Sequence, residues 1–210
     1  MSRNIISILL ILLSQVLVMA QGSLADVFEN DKRIVWYGLD FTKAKFIGTD
    51  GFSDPNKIVT YYFTNWNELV NNESEKYDVR KAIQRRDMEY VLGPVRTNNE
   101  KVDPTTLVQG HLNKVSEDEA KEAVQALDLS GEDPGVGMCL VVENFDKPTD
   151  KGSYWLVFFD ISSKSTIHIQ KIEATANGFG FRNHWAKSFK GVLEKIEGKY
   201  YRKWRKANKD

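Results

Sequence analysis

The chain has 210 residues, with 29 Lys and Arg against 29 Asp and Glu, 41% apolar residues and 11% aromatics. Balanced charge excludes a global field that would recruit nucleic acid or an acidic partner. The single cysteine, Cys139, excludes an intramolecular disulfide, so the fold must be held by its core, and its place in the apolar run Val136 to Val142 predicts a buried structural thiol.

Met1 to Ala20 has the parts of a secretory signal: Arg3, the apolar run Ile5 to Leu13, and an end at Val18-Met19-Ala20. Cleavage is predicted after Ala20, which leaves a periplasmic or secreted protein with no transmembrane span. Residues 21–31 lack periodicity and read as a mobile arm. Arg33 to Phe41 is the first strand, mostly apolar and covered on both sides, with Asp40 the exception, and Lys43 to Gly48 continues it past a kink. Asp54-Pro55 starts a helix whose stripe is Ile58, Tyr62, Trp66, Leu69 and Val70. A shorter helix follows Asp78, and Met88 to Leu92 is a short strand closed by Gly93-Pro94. Residues 98–113 read equally as a loop or as a strand through Leu107 and Val108. Ser116 to Glu119 is a capping box opening a helix with the stripe Ala120, Ala123, Val124 and Leu127.

Three successive strands come next, Val136 to Phe145, Tyr154 to Ile161 and Thr166 to Ala174. A glycine-rich bend then feeds a helix with the stripe Trp185, Phe189, Val192, Leu193 and Ile196. His168, between Ile167 and Ile169, reads as facing solvent. The prediction is a single α/β domain over residues 32–197, in the order β-α-α-β-α-β-β-β-α. Its mixed β-sheet has about five strands, parallel early and antiparallel late, with helices packed on it.

The stretch TIHIQKIEATANGFGFRNHWAKSFKGVLEKI, with IVWYGLDFTKAKFIG, resembles a family of exported, functionally uncharacterised proteins of Bacteroidetes-type bacteria. The element order is similar in topology to the N-terminal domain of TolB and to related envelope assembly lipoproteins. The resemblance implies an envelope module and carries no catalytic residues.

Three places invite function. The first is Asn177 to His184, where free amides at a helix start, with Gly178, Gly180, Arg182, Asn183 and His184, suit a carboxylate or phosphate. Its structural alternative is a tight turn with Phe179 and Phe181 packed beneath. The second is Asp40, which either pairs with Arg182 or lines a cleft with Arg182 and His184. The third is the basic aromatic tail over residues 198–210. There Lys199, Arg202, Lys203, Trp204, Arg205 and Lys206 either bind an anionic surface or extend the last helix, burying Tyr201 or Trp204. His111, His168 and His184 have no metal-binding spacing, no nucleophile elbow is present, and no metal or cofactor is predicted. The leading expectation is a non-catalytic cell-envelope module that binds a protein partner or an anionic envelope component. The alternative is a hydrolase or transferase at the Asp40, Arg182 and His184 edge.

Overall fold

The computed structural model describes residues 22–112 and 114–208; the leader placed over residues 1–20, and Lys209 and Asp210 of the tail, lie outside the described residues. Seven strands form one sheet: β1 Ile34–Asp40, β2 Lys45–Ile47, β3 Glu89–Tyr90, β4 Val108–Gln109, β5 Val136–Asp146, β6 Lys151–Asp160 and β7 Thr166–Thr175. β6 runs antiparallel along the whole length of β5, and β7 antiparallel along β6. The other edge of β5 carries β1 over its first half and β2 over its last residues, both parallel. A strand has only two edges, so β1 and β2 are one strand interrupted at residues 41–44, at the predicted kink. β3 and β4 extend the two halves in parallel. The sheet is therefore about five strands wide and mixed, parallel early and antiparallel late.

The helices are α1 over residues 55–72, α2 Val79–Ala82, α3 Gly93–Asn99, α4 Glu117–Gln125 and α5 over residues 181–207. Asp54 caps α1, its Oδ1 accepting from Lys57 N at 3.0 Å, and Ser116 with Glu119 forms the capping box of α4. α1 and α5 cover one face of the sheet, where Trp66, Trp185 and Phe189 meet Trp36, Leu140, Phe145 and Phe158. α4 covers the other, with Ala120, Ala123 and Val124 against Val35, Cys139, Val141 and Val157. The small alanines let α4 lie close to the sheet.

Side chains alternate along β1 until Gly38, where the register with β5 slips. Ile34 and Trp36 face α1 and α5, and Val35 and Tyr37 face α4, but beyond the slip it is Leu39 and Phe41 that face α1 and α5. Gly38 has φ 117°, and a Cβ there would collide with Asn67 Oδ1. Asn67 fills that space usefully. Its Oδ1 accepts from Leu39 N at 2.7 Å and its Nδ2 donates to Leu39 O at 3.0 Å. Asn99, from α3, accepts from Phe41 N at 2.7 Å and donates to the same Leu39 carbonyl at 2.9 Å. Two buried amides thus replace the ladder bonds lost at the break.

The structure corrects three expectations and decides between two readings of a fourth. Residues 22–31 are packed rather than free: Leu24–Phe28 forms a 3₁₀ turn, Val27 is buried, and Phe28 meets the Tyr201 ring edge-on at 5.3 Å. Gly93-Pro94 opens α3 instead of merely closing a strand, because proline suits the first turn of a helix, where its missing N–H costs nothing. Of the two readings of the tail, residues 198–207 take the helical one: the last helix continues through a π turn, Ile196–Tyr200, into Tyr201–Ala207. His168 does not face solvent; it lies half-buried beneath α5, edge-on to Trp204 at 5.0 Å. For residues 98–113, the strand alternative is realised as the short β4.

Asn67→Ala should destabilise the protein by about 1–3 kcal/mol, because it strands the buried Leu39 N–H, whereas the Leu39 carbonyl keeps its bond from Asn99. Asn71→Ala, on the exposed side of α1, should cost under about 0.5 kcal/mol. Denaturant melts compare the two, and equal losses would show that the break does not depend on Asn67.

Candidate functional site

Two glycines shape the start of α5. Gly178 and Gly180 have φ of 122° and 81°, a conformation that side chains resist, and the bend between them turns β7 into the helix. Gly180 is the N-cap residue and supplies no side-chain cap. Phe181 packs half-buried against the core, 4.7 Å from the Tyr62 ring and 5.9 Å from Phe52. Phe179 does not follow it beneath the bend as expected: it is 97% exposed at the tip. Asn183 Nδ2 donates back to Phe179 O at 3.4 Å, and Trp66 Nε1 donates to Arg182 O at 3.0 Å, so the bend is pinned from both sides.

The polar side chains here are already engaged. Arg182 meets Glu73 Oε1 at 2.7 Å and Asn183 Oδ1 at 3.0 Å. With Arg182 and Lys76 as neighbours, the Glu73 carboxyl is held below its usual range even though desolvation pushes the other way. His184 Nε2 lies 3.0 Å from Asp150 Oδ1, which also takes Lys147 Nζ at 2.7 Å. Beside them a shallow cleft of about 310 Å³ is lined by Gly51, Lys147, Gly178, Gly180, Phe181, His184 and Trp185.

Asp40 is not part of this cluster. Alternation without a bulge would have put it on the face that carries α5. The slip at Gly38 turns it to the α4 face, beside Cys139, and Arg182 finds Glu73 instead. Asp40 is fully buried: Oδ1 accepts from Thr42 N at 2.8 Å and from Thr42 Oγ1, while Oδ2 has no partner. Burial pushes its pKa up to about 6, against the Thr42 hydrogen bonds and the pull of Lys43. Asp40, Arg182 and His184 therefore make no common site, and the hydrolase or transferase alternative loses the juxtaposition on which it rested. Among the described residues no group of three or more His, Cys, Asp and Glu is placed to hold a metal ion, and no helix is long and apolar enough to cross a membrane.

The far end of α5 is different. Trp204 belongs to the core and not to a binding surface: it is buried, edge-on to Phe158 at 5.9 Å, and Tyr201 is buried one turn before it. Lys199, Arg202, Lys203, Arg205 and Lys206 are exposed, and none forms an ion pair among the described residues.

Sequence reasoning missed Glu143, a buried carboxylate that ties Val115 to the sheet. It accepts from Val115 N at 2.8 Å and pairs with Lys171 Nζ at 2.7 Å, while Trp155 Nε1 donates to Val115 O at 3.0 Å. The available signal was an acid inside a strand whose apolar run implies cover on both faces, since a buried carboxylate requires a partner.

Asp40 carries a pH signature. Its folded pKa lies above the ordinary 3.8, so the native state holds the proton more tightly, and this group's penalty is full above about 6 and relieved as pH falls toward 4. Asp40→Asn should be more stable than wild type at pH 7 by about 1–3 kcal/mol. The advantage should shrink on acidification through that window, as denaturant titrations from pH 7 to 4 will show; a constant offset would mean that Asp40 does not titrate there.

In comparisons with family models and with curated proteins, the chain matches no family model and no curated protein.

Proposed function

We propose that the protein is an exported, non-catalytic module of the cell envelope that engages an anionic lipid surface through the last turns of α5. Of the two expected kinds of partner, a protein or an anionic component, the charge on this helix favours the second. The observation that carries the reading is the stripe Lys199, Arg202, Lys203 and Lys206, spaced i, i+3, i+4 and i+7 and turned to solvent on a chain of zero net charge. Tyr201 and Trp204 anchor the opposite side of the helix in the core. The cations are thereby held in place before any ligand arrives, which lowers the ordering cost of binding. Tyr200 stacks on Trp204 at 5.8 Å and keeps a half-exposed ring beside Lys199, the kind of aromatic that settles at a lipid headgroup boundary. The resemblance to exported envelope proteins supports the same compartment.

The test is co-sedimentation with vesicles. Wild type should bind vesicles containing phosphatidylglycerol and not vesicles of phosphatidylcholine alone, with binding that weakens as salt is raised. The double variant Arg202→Glu with Lys206→Glu should bind at least about tenfold more weakly, since each basic group near an anionic surface contributes ~1 kcal/mol. Its melting temperature should be unchanged because both side chains are exposed. Wild-type binding that ignores lipid charge would overturn the reading.

A further inference from the structure

The two sides of the sheet end differently. On one side the outer strands β3 and β4 are paired over two residues each, too short to template another chain. On the other side β7 runs for ten residues, pairs with β6 along one edge, and has no strand on its outer edge among the described residues.

The hydrogen-bond phase of that outer edge can be read directly. Ala176 N donates to Asp150 O at 2.7 Å, continuing the β6–β7 register, so even-numbered residues of β7 point their backbone groups toward β6. The odd-numbered residues Ile169, Lys171, Glu173 and Thr175 point theirs outward. Two side-chain contacts agree: Lys195 Nζ donates to Glu173 O at 2.6 Å and Gln170 Nε2 donates to Lys171 O at 3.0 Å.

We infer that β7 is a self-pairing edge: two copies of this chain join antiparallel through β7 about a two-fold axis at Ile172, making one continuous sheet. Symmetry and hydrogen-bond phase permit such a pairing, and charge selects this register. A two-fold axis perpendicular to the sheet places residues of the same face opposite one another, so odd residues must oppose odd. The outward phase of the odd residues makes those same pairs the hydrogen-bonded ones. With Ile172 on the axis, Lys171 stands opposite the second copy's Glu173, and Glu173 opposite its Lys171, so the two charged side chains of the edge meet opposite charge twice. Lys171 already reaches Glu143 at 2.7 Å, and Glu173 is exposed beside it, so one ammonium bridges the buried and the incoming carboxylate. The two carbonyls that would bond across the axis, those of Lys171 and Glu173, are the two that this chain covers with its own Gln170 and Lys195. Those contacts satisfy the edge in the single copy and give way to, or share the carbonyls with, the second copy's amides on pairing.

Sedimentation velocity across a concentration series, with residue-resolved amide exchange, tests this. Wild type should pass from monomer to dimer as concentration rises. Over the same range the amides of Ile169, Lys171, Glu173 and Thr175 should gain protection, while those of Gln170, Ile172 and Ala174 are protected throughout. Glu173→Pro deletes an outward N–H and leaves the β6 ladder intact, a position where an edge strand accepts proline. It should weaken the dimer at least about tenfold while the protein melts within a few degrees of wild type. Glu173→Lys, which sets like charges opposite one another, should do the same. A wild type that stays monomeric at the highest concentration overturns the inference. So does a dimer indifferent to both variants, or protection not confined to the outward amides. None of these results touches the cationic end of α5, so the lipid reading stands or falls separately.

Discussion

The interruption between β1 and β2 is the constraint on which the rest of the domain turns. A chain that leaves its ladder inside a covered sheet exposes amides and carbonyls to an apolar interior, and each would cost on the order of 1–3 kcal/mol if unmet. Asn67 and Asn99 meet them, and because one comes from α1 and the other from α3, satisfying the break also fixes both helices against the sheet. The same break directs Phe41 into the aromatic core, stacked on Phe63 at 4.1 Å and edge-on to Phe145 at 6.1 Å. Phe145 in turn stacks on Trp185 of α5 at 4.7 Å. Backbone polarity and side-chain packing thus select the same arrangement of helices.

α5 carries this order outward. It is some 40 Å long at ~1.5 Å per residue, with the pinned aromatic bend at its start and the cationic stripe at its end. The π turn at Ile196–Tyr200 inserts an extra residue into the helical phase, and past it Tyr201 and Trp204 still face the core even though Gly198 weakens the helix locally. Fixed charge at one end and a fixed apolar tip at the other follow from a single buried stripe.

Periodicity made most of the fold legible. Runs such as Val136 to Phe145, and the stripe from Trp185 to Ile196, are determined by burial, which acts on every residue of the pattern. What escaped were features decided by one residue in a particular tertiary setting. Asp40 was expected beside Arg182 at a shared edge of the sheet, and one bulge at Gly38 turned it to the opposite face. Asn67 looked like an incidental polar residue beside Trp66, since its partner is a backbone group that only the break exposes. The proline at position 94 signals strand end and helix start alike, and only packing decides. In the candidate site, Arg182 and His184 were found near one another, but their actual partners, Glu73 and Asp150, lie in loops whose approach no local pattern encodes. The uncertain fate of the basic tail came down to two aromatics, whose inward phase depends on the π turn.

Cys139 lies in the middle of β5, wholly buried, its Sγ 3.5 Å from the Gly38 carbonyl at the bulge. Burial pushes the thiol well above its ordinary pKa, and the neighbouring Asp40 carboxylate pushes the same way. The folded protein therefore presents no thiolate to oxidants or alkylating reagents. Since β5 is the strand that both halves of the sheet share, no small fluctuation uncovers that sulfur without parting β1 from β5 or lifting α4. The rate at which Cys139 becomes modified is accordingly a clock for large-scale opening of the domain, and the chain carries its own unfolding reporter at the place where its order is most concentrated.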